Sequence, residues 1–368
     1  MKKRLNFNRY LLKSLVFLFF PCVCFSQQDL IVAVAKTDDM AAKFIDKHNI
    51  PGIAISISYN DTIIYSKGFG YANIEAKLPV IPSQSQFRIG SITKSLTAMA
   101  LAKLQQQGKI NFDESIYHYL DSLPKKEYDF TIRQVGGHLA GLERMYLTYN
   151  TDSLHTVSRQ ELYKSFKGRL LYKPGTKHLY SNFGFELLGM VVENVQHSSF
   201  DDAIKVLVLN PLKMTNTGAK PNVRSNTEYY TKIKGGEKVT ALYMGYTVNT
   251  ASGYLYATSE DLVRMGNALL IPDRLLDKKN LLELIKPQKL ASGKSVGYGF
   301  GIESVITDKG HWSYGHSGHI YGGTSFYGVS PEHKFVIAVL VNCDYLKPGS
   351  INEFTQKISS EYFKALKH

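Results

Sequence analysis

Cysteine is nearly absent. The chain has 3 in 368 residues, and two of them, Cys22 and Cys24, lie in its N-terminal stretch. A mature chain left with Cys343 alone forms no internal disulfide and depends on its apolar core. Metal-binding spacing is missing too: there is no His-Glu-x-x-His and no zinc-spaced cysteine pair. His316 and His319, three apart in a stretch that reads as strand, project to opposite faces. Lysine and arginine are scattered rather than run together and no nucleic-acid module signature occurs, so nucleic acid is not an expected partner. Internal repeats and low-complexity linkers are also lacking, which excludes solenoids and flexible multidomain arrays. No apolar run suits a stable membrane span, because the longest, Leu15 to Phe25, is short and broken by Pro21.

What is present is ordinary globular composition, with 44% hydrophobic and 20% charged residues, enough to bury a large core. Residues 1–26 read as an export signal: Lys2, Lys3, Arg4, Arg9 and Lys13 with no acid, an apolar stretch from Leu15, and Ser26 at the cleavage point. A periplasmic or extracellular location is expected. A lipid anchor on Cys22 or Cys24 is the lesser alternative, since Pro21 and Val23 precede them where a small residue is wanted. Loss of those five basic residues takes the formal charge from +13 to +8, a moderately basic surface.

The remaining domain, 27–368, changes texture along its length. After a helix over Leu30 to Lys47, Gly52 to Asn73 reads as a hairpin turning at Asn60-Asp61, and Ser91 to Gln107 reads as a helix stopped by Gly108. From about 111 to 289 helical patterns dominate, at Phe183 to Asn194, Phe200 to Val208 and Ser259 to Leu270. Strands return at Trp312 to His319, Gly323 to Val329 and Phe335 to Asn342, before a last helix over Ile351 to Leu366. This order predicts an α+β fold: an antiparallel sheet from about 27–110 and 290–368, flanked by the terminal helices, with a mainly helical region inserted. The cleft between the two parts is the natural place for a site.

Three short patterns carry chemistry. In Ser91-Ile-Thr-Lys94 the lysine stands one helical turn from the serine, so its amine can reach the hydroxyl; kept neutral by burial, it can act as a base for that poor nucleophile. A lysine in a first turn opposes the helix dipole, a misfit for Ser91 as a bare N-cap. In Tyr180-Ser-Asn182 the phenol, as phenolate or through its hydroxyl, can exchange protons with Ser91, while Asn182 can hold a substrate amide and Lys94. In His316-Ser317-Gly318-His319 the glycine lets a substrate backbone lie against the strand, whose N–H groups can help form an oxyanion hole. Taken one at a time, each is also an ordinary cap, loop or edge strand.

Together, in this order and on these elements, they resemble the serine β-lactamase and penicillin-binding-protein superfamily, and most closely its class C β-lactamase, D,D-peptidase and esterase branch, because the second motif is Tyr-x-Asn. The resemblance covers nearly all of the mature chain, with support from Thr131-Ile-Arg133, Ser252-Gly-Tyr-Leu-Tyr256 and Tyr298-Gly-Phe-Gly301. It implies that Ser91 attacks the carbonyl, that Lys94 and Tyr180 manage its proton, that Asn182 and the 316–319 strand bind substrate, and that the N–H groups of Ser91 and His319 hold the oxyanion. No metal or organic cofactor is implied. The family's Lys-Thr-Gly is here His316-Ser317-Gly318, a weaker and pH-dependent carboxylate anchor. The usual His-Thr-Ser-Gly-Leu is His138-Leu-Ala-Gly-Leu142, assigned to scaffolding. The expectation is an exported serine hydrolase for D-residue peptides or related amides and esters. A true β-lactamase and a non-catalytic sensor of peptidoglycan fragments are the alternatives. The expected partner is thus a small peptide, β-lactam or ester substrate, and no pattern sets an oligomeric state.

Overall fold

A tight turn starts the sheet. In the computed structural model, which describes residues 22–144, 159–166, 169–221, 225–232, 237–241, 250–306, 312–347 and 349–366, Asn60 and Asp61 both take positive φ, 48° and 66°. Two successive left-handed residues favour a turn whose twist matches a hairpin. Helix α1 (Cys22–His48) leads to that hairpin, β1 (Gly52–Tyr59) and β2 (Thr62–Asn73), then to the short β3 (Leu78–Pro79) and β4 (Phe87–Arg88) and to helix α2 (Thr93–Gln106). The inserted region holds α3 (Ile132–Gly136), α4 (Arg159–Ser165), α5 (Asn182–Gln196) and α6 (Phe200–Ile204), then β5 (Tyr230–Lys232), β6 (Lys238–Thr240), α7 (Thr250–Gly253), β7 (Tyr256–Ala257), α8 (Ser259–Leu270) and α9 (Lys278–Ile285). β8 (Glu303–Ile306), β9 (Trp312–Ile320), β10 (Gly323–Ser330), β11 (Phe335–Val341) and α10 (Ser350–Ala365) follow.

The main sheet has seven antiparallel strands in the order β3-β2-β1-β11-β10-β9-β8. Pairing of β1 with β11 joins the two ends of the chain, as the expected α+β fold requires. Alternation then assigns each side chain to a layer. Ile53, Ile55 and Ile57 of β1 and Phe335, Ile337, Val339 and Val341 of β11 pack toward α1 and α10, where Phe44 and Phe354 stack at 4.2 Å. Ala54, Val336, Ala338 and Leu340 face the other core, with α2 and α8. The hydroxyls on that face are satisfied within it: Ser56 bonds Ser259 Oγ at 2.8 Å and Ser58 donates to Asn267 Oδ1 at 2.7 Å.

The boundaries depart from expectation at four places, the first being α1, which begins at Cys22 rather than Leu30. α2 starts at Thr93 rather than Ser91, behind a 3-10 turn over Gly90–Ile92. The helix at Phe200 changes after Ile204 to a wider π turn, Lys205–Leu209, ahead of Pro211, which has no N–H to continue the ladder. β8 was not expected; four residues at a sheet edge carry too little alternation to be read. Among the described residues no helix is long and apolar enough to cross a membrane. Residues 1–21 of the expected leader, residues 145–158 and most of 222–248 lie outside the described residues.

Candidate active site

Gly90 sets the approach to the nucleophile. Its φ of +51° suits glycine, and a Cβ there would fall 2.7 Å from the backbone nitrogen of His319. The turn therefore lays Ser91 beside β9. Because Ile92, without a side-chain cap, occupies the N-cap position of α2, the Ser91 hydroxyl is not engaged in capping and stays half-exposed in the cleft.

Lys94 sits in the first turn of α2 and is fully buried. Its Nζ lies 3.1 Å from Ser91 Oγ and donates to the Ser252 carbonyl at 2.6 Å. The aromatic rings of Tyr180 and Phe185 lie beneath it, 4.9 and 5.6 Å from the amine. Burial pulls the amine down to about 7, with Glu186 opposing and Arg144 assisting. Glu186, buried on α5, is pushed the other way, up to about 8, by desolvation, while contacts with Ser252 and the backbone of Ala251 draw it back. Sequence reasoning passed over Glu186. The available signal was an acid four residues after Asn182 in an otherwise apolar run.

The Tyr180 loop is held from both sides. Leu179 N–H donates to the His138 carbonyl at 3.0 Å, and Ser181 N–H donates to His138 Nδ1 at 3.1 Å. Ser181 caps α5 by accepting from Gly184 N–H, and its own hydroxyl reaches the Glu143 carbonyl at 2.6 Å. Tyr180 is thereby fixed with its hydroxyl on Ser91. Desolvation raises the phenol above its ordinary range, with the Ser91 hydrogen bond opposing, so the resting group is the phenol and not the phenolate. His138, assigned to scaffolding, is buried and holds this loop in place, its ring 4.3 Å from that of Tyr180. Asn182 opens α5 and is half-buried, its N–H on the Arg144 carbonyl at 2.9 Å. Among the described residues Lys94 makes no hydrogen bond to Asn182; the Ser252 carbonyl takes that place.

On β9, Gly318 passes so close to the nucleophile segment that a Cβ would meet the Ile89 carbonyl at 2.0 Å and Ser325 Oγ at 2.2 Å. Ser317 is half-buried and His319 exposed. His316 corrects the expectation of a pH-dependent anchor. It is 2% exposed; its Nδ1 donates to the Ser317 carbonyl at 2.6 Å, so Nε2 is the acceptor for the Tyr298 hydroxyl at 3.0 Å. Both nitrogens are satisfied in the neutral ring, and burial together with the Lys94 charge holds the imidazole down at about 3. It brings no positive charge at neutral pH.

A hydroxyl facing a buried amine and a phenol, beside a strand edge that approaches to backbone contact, is an arrangement suited to acyl transfer through serine. The chain belongs to the Beta-lactamase family, whose model matches residues 37–358. It is 25% identical over 328 residues to the human serine beta-lactamase-like protein LACTB, mitochondrial, covering 68% of this chain and 58% of that one. The chain thus spans about three fifths of the length of the curated relatives it matches, 58% and 61% for the first two. Among solved structures, the octameric penicillin-binding protein homologue from Pyrococcus abyssi is 26% identical with a TM-score of 0.76, over 89% of this chain and 77% of that one. D-amino acid amidase from Ochrobactrum anthropi SV3, complexed with L-phenylalanine amide, is 25% identical with a TM-score of 0.75, over 92% and 99%.

Proposed function

We propose that this chain is a serine hydrolase that works through an acyl-enzyme on Ser91, with short D-residue-containing peptides and related amides or esters as its substrates. The observation that carries the proposal is the buried Lys94 amine, 3.1 Å from Ser91 Oγ and drawn down to about 7, so that much of it is neutral at physiological pH. In this mechanism Ser91 Oγ bonds to the substrate carbonyl carbon as its proton passes to Lys94. The oxyanion rests on the N–H groups of Ser91 and His319, and the Tyr180 hydroxyl relays the proton to the leaving amine or alcohol. Water then cleaves the acyl ester. The likeness to an amidase supports amides as one substrate class. The neutral His316 speaks against a carboxylate anchor of the kind a β-lactam uses. Export through the 1–26 leader belongs to the same proposal.

The test is covalent labelling. A fluorophosphonate should add once to the parent protein, by intact mass, and not at all to Ser91→Ala; labelling that survives the substitution overturns the nucleophile. A screen against D-alanyl-D-alanine peptides, D-amino-acid amides, short nitrophenyl esters and nitrocefin then ranks the substrates, and turnover of nitrocefin alone would replace the peptide assignment by a β-lactamase. Export is tested by the N-terminal sequence of protein recovered from the cell exterior, where an uncleaved Met1 would refute the leader.

A further inference from the structure

The strand wall of the cleft carries an acidic side chain where the third motif supplies no cation. Glu303 opens β8 and pairs with Gly315 of β9; its Oε1 lies 3.4 Å from Ser317 Oγ and 3.8 Å from His316 Nδ1. The side chain keeps 41% of its surface exposed, against 2% for His316. His316 gives it no countercharge, since that ring is neutral and its Nδ1 proton already points at the Ser317 carbonyl. Among the described residues no lysine or arginine forms an ion pair with Glu303. Desolvation raises Glu303 above the ordinary carboxylate value while hydrogen bonds from Ser317 draw it back, and its charge disfavours ionisation of Tyr180 and Tyr298. On the other side Arg144, next to the start of α5, acts as a positive charge on Lys94 and Tyr180.

We propose that Glu303 determines substrate specificity by binding a cationic amine next to the scissile carbonyl, such as the free α-amino group of an amino-acid amide or short peptide, and by repelling a carboxylate placed there. The inference rests on the acyl-enzyme reading of Ser91 and narrows its substrate class. An ammonium meeting a half-exposed carboxylate at contact distance gains about tenfold in affinity over a neutral group, and an anion in its place loses by a comparable factor.

The test is competition for Ser91 at neutral pH. D-alanine amide, N-acetyl-D-alanine amide and N-succinyl-D-alanine amide present a cation, a neutral group and an anion at one position, and each is titrated against fluorophosphonate labelling. The expected result is protection by the free amine at about tenfold lower concentration than the acetyl compound, with the succinyl compound weaker again. Half-molar salt should compress that order in the parent protein. Glu303→Gln should bring the free amine and the acetyl compound within about twofold, and Glu303→Lys should favour the succinyl compound. Equal protection by all three, a preference indifferent to salt, or an order unchanged in Glu303→Gln would overturn the proposal. Because salt acts on the parent protein, the test does not depend on either variant folding. Failure of the parent to label at all precedes the competition and defeats the nucleophile assignment itself.

Discussion

The acylation rate of Ser91 should titrate with Lys94. An ordinary lysine at 10.5 has about one neutral amine in several thousand at pH 7, whereas one at about 7 is half neutral, a gain of roughly a thousandfold in base available to the hydroxyl. The cause is structural: Lys94 is 0% exposed, sits against two aromatic rings, and among the described residues its amine finds only the Ser252 carbonyl and the Ser91 hydroxyl as hydrogen-bond partners. Stopped-flow bursts of nitrophenolate from p-nitrophenyl acetate should therefore rise about tenfold from pH 6 to pH 8 and level off above it. Glu186→Gln removes the acid that favours the protonated amine, so the midpoint should move down. A rate flat across this range, or one still climbing tenfold per pH unit beyond about pH 8.5, would refute the depressed lysine as the base.

The same burial has a cost in stability, with a sign fixed by linkage. Lys94 is protonated in both folded and unfolded chains below about 7, and between 7 and 10.5 the folded chain loses the proton first, so this contribution to stability rises with pH there. The advantage of Lys94→Met over the parent, measured by urea unfolding, should then shrink by about 2–3 kcal/mol between pH 6 and pH 9, and no change would refute it. Glu186 acts oppositely, its contribution falling between 4.5 and about 8, so Glu186→Leu should gain on the parent as pH rises through that window, in the same assay. Tyr180→Phe should slow acylation by about 10² to 10⁴-fold at an unchanged thermal midpoint; a normal burst rate would remove the phenol from the relay. Gly318→Ala must displace either the Ile89 carbonyl or Ser325, and should lose acylation together with about 1–3 kcal/mol of stability, whereas a silent substitution would show that the strand is not so tightly held.

Much of this architecture is written in short-range pattern. The Asn60-Asp61 turn, the alternation in β1, the continuous apolar run of β11 and the apolar face of α2 are local features, and each element formed where its pattern lies. Boundaries slipped where a neighbour in space intervened, as at Ser91, where the contact of Gly90 with β9 delays the helix by two residues. That Ser91, Lys94 and Tyr180 lie together was legible because three linked motifs constrain one another. Glu186 went unnoticed, because it looks like part of a core helix until α5, α7 and the Tyr180 loop are packed together.

The amino-acid order by itself determined which groups are available and, through helical spacing, that an amine stands one turn from a hydroxyl. Only the tertiary structure decided what those groups are worth. The Ser252 carbonyl that holds Lys94 comes from 158 residues away, and the neutrality of His316 follows from Tyr298 and from burial that no local pattern records. Protonation depends on the solvent and charge surrounding a group, and that surrounding is assembled by folding rather than carried by neighbours in the chain.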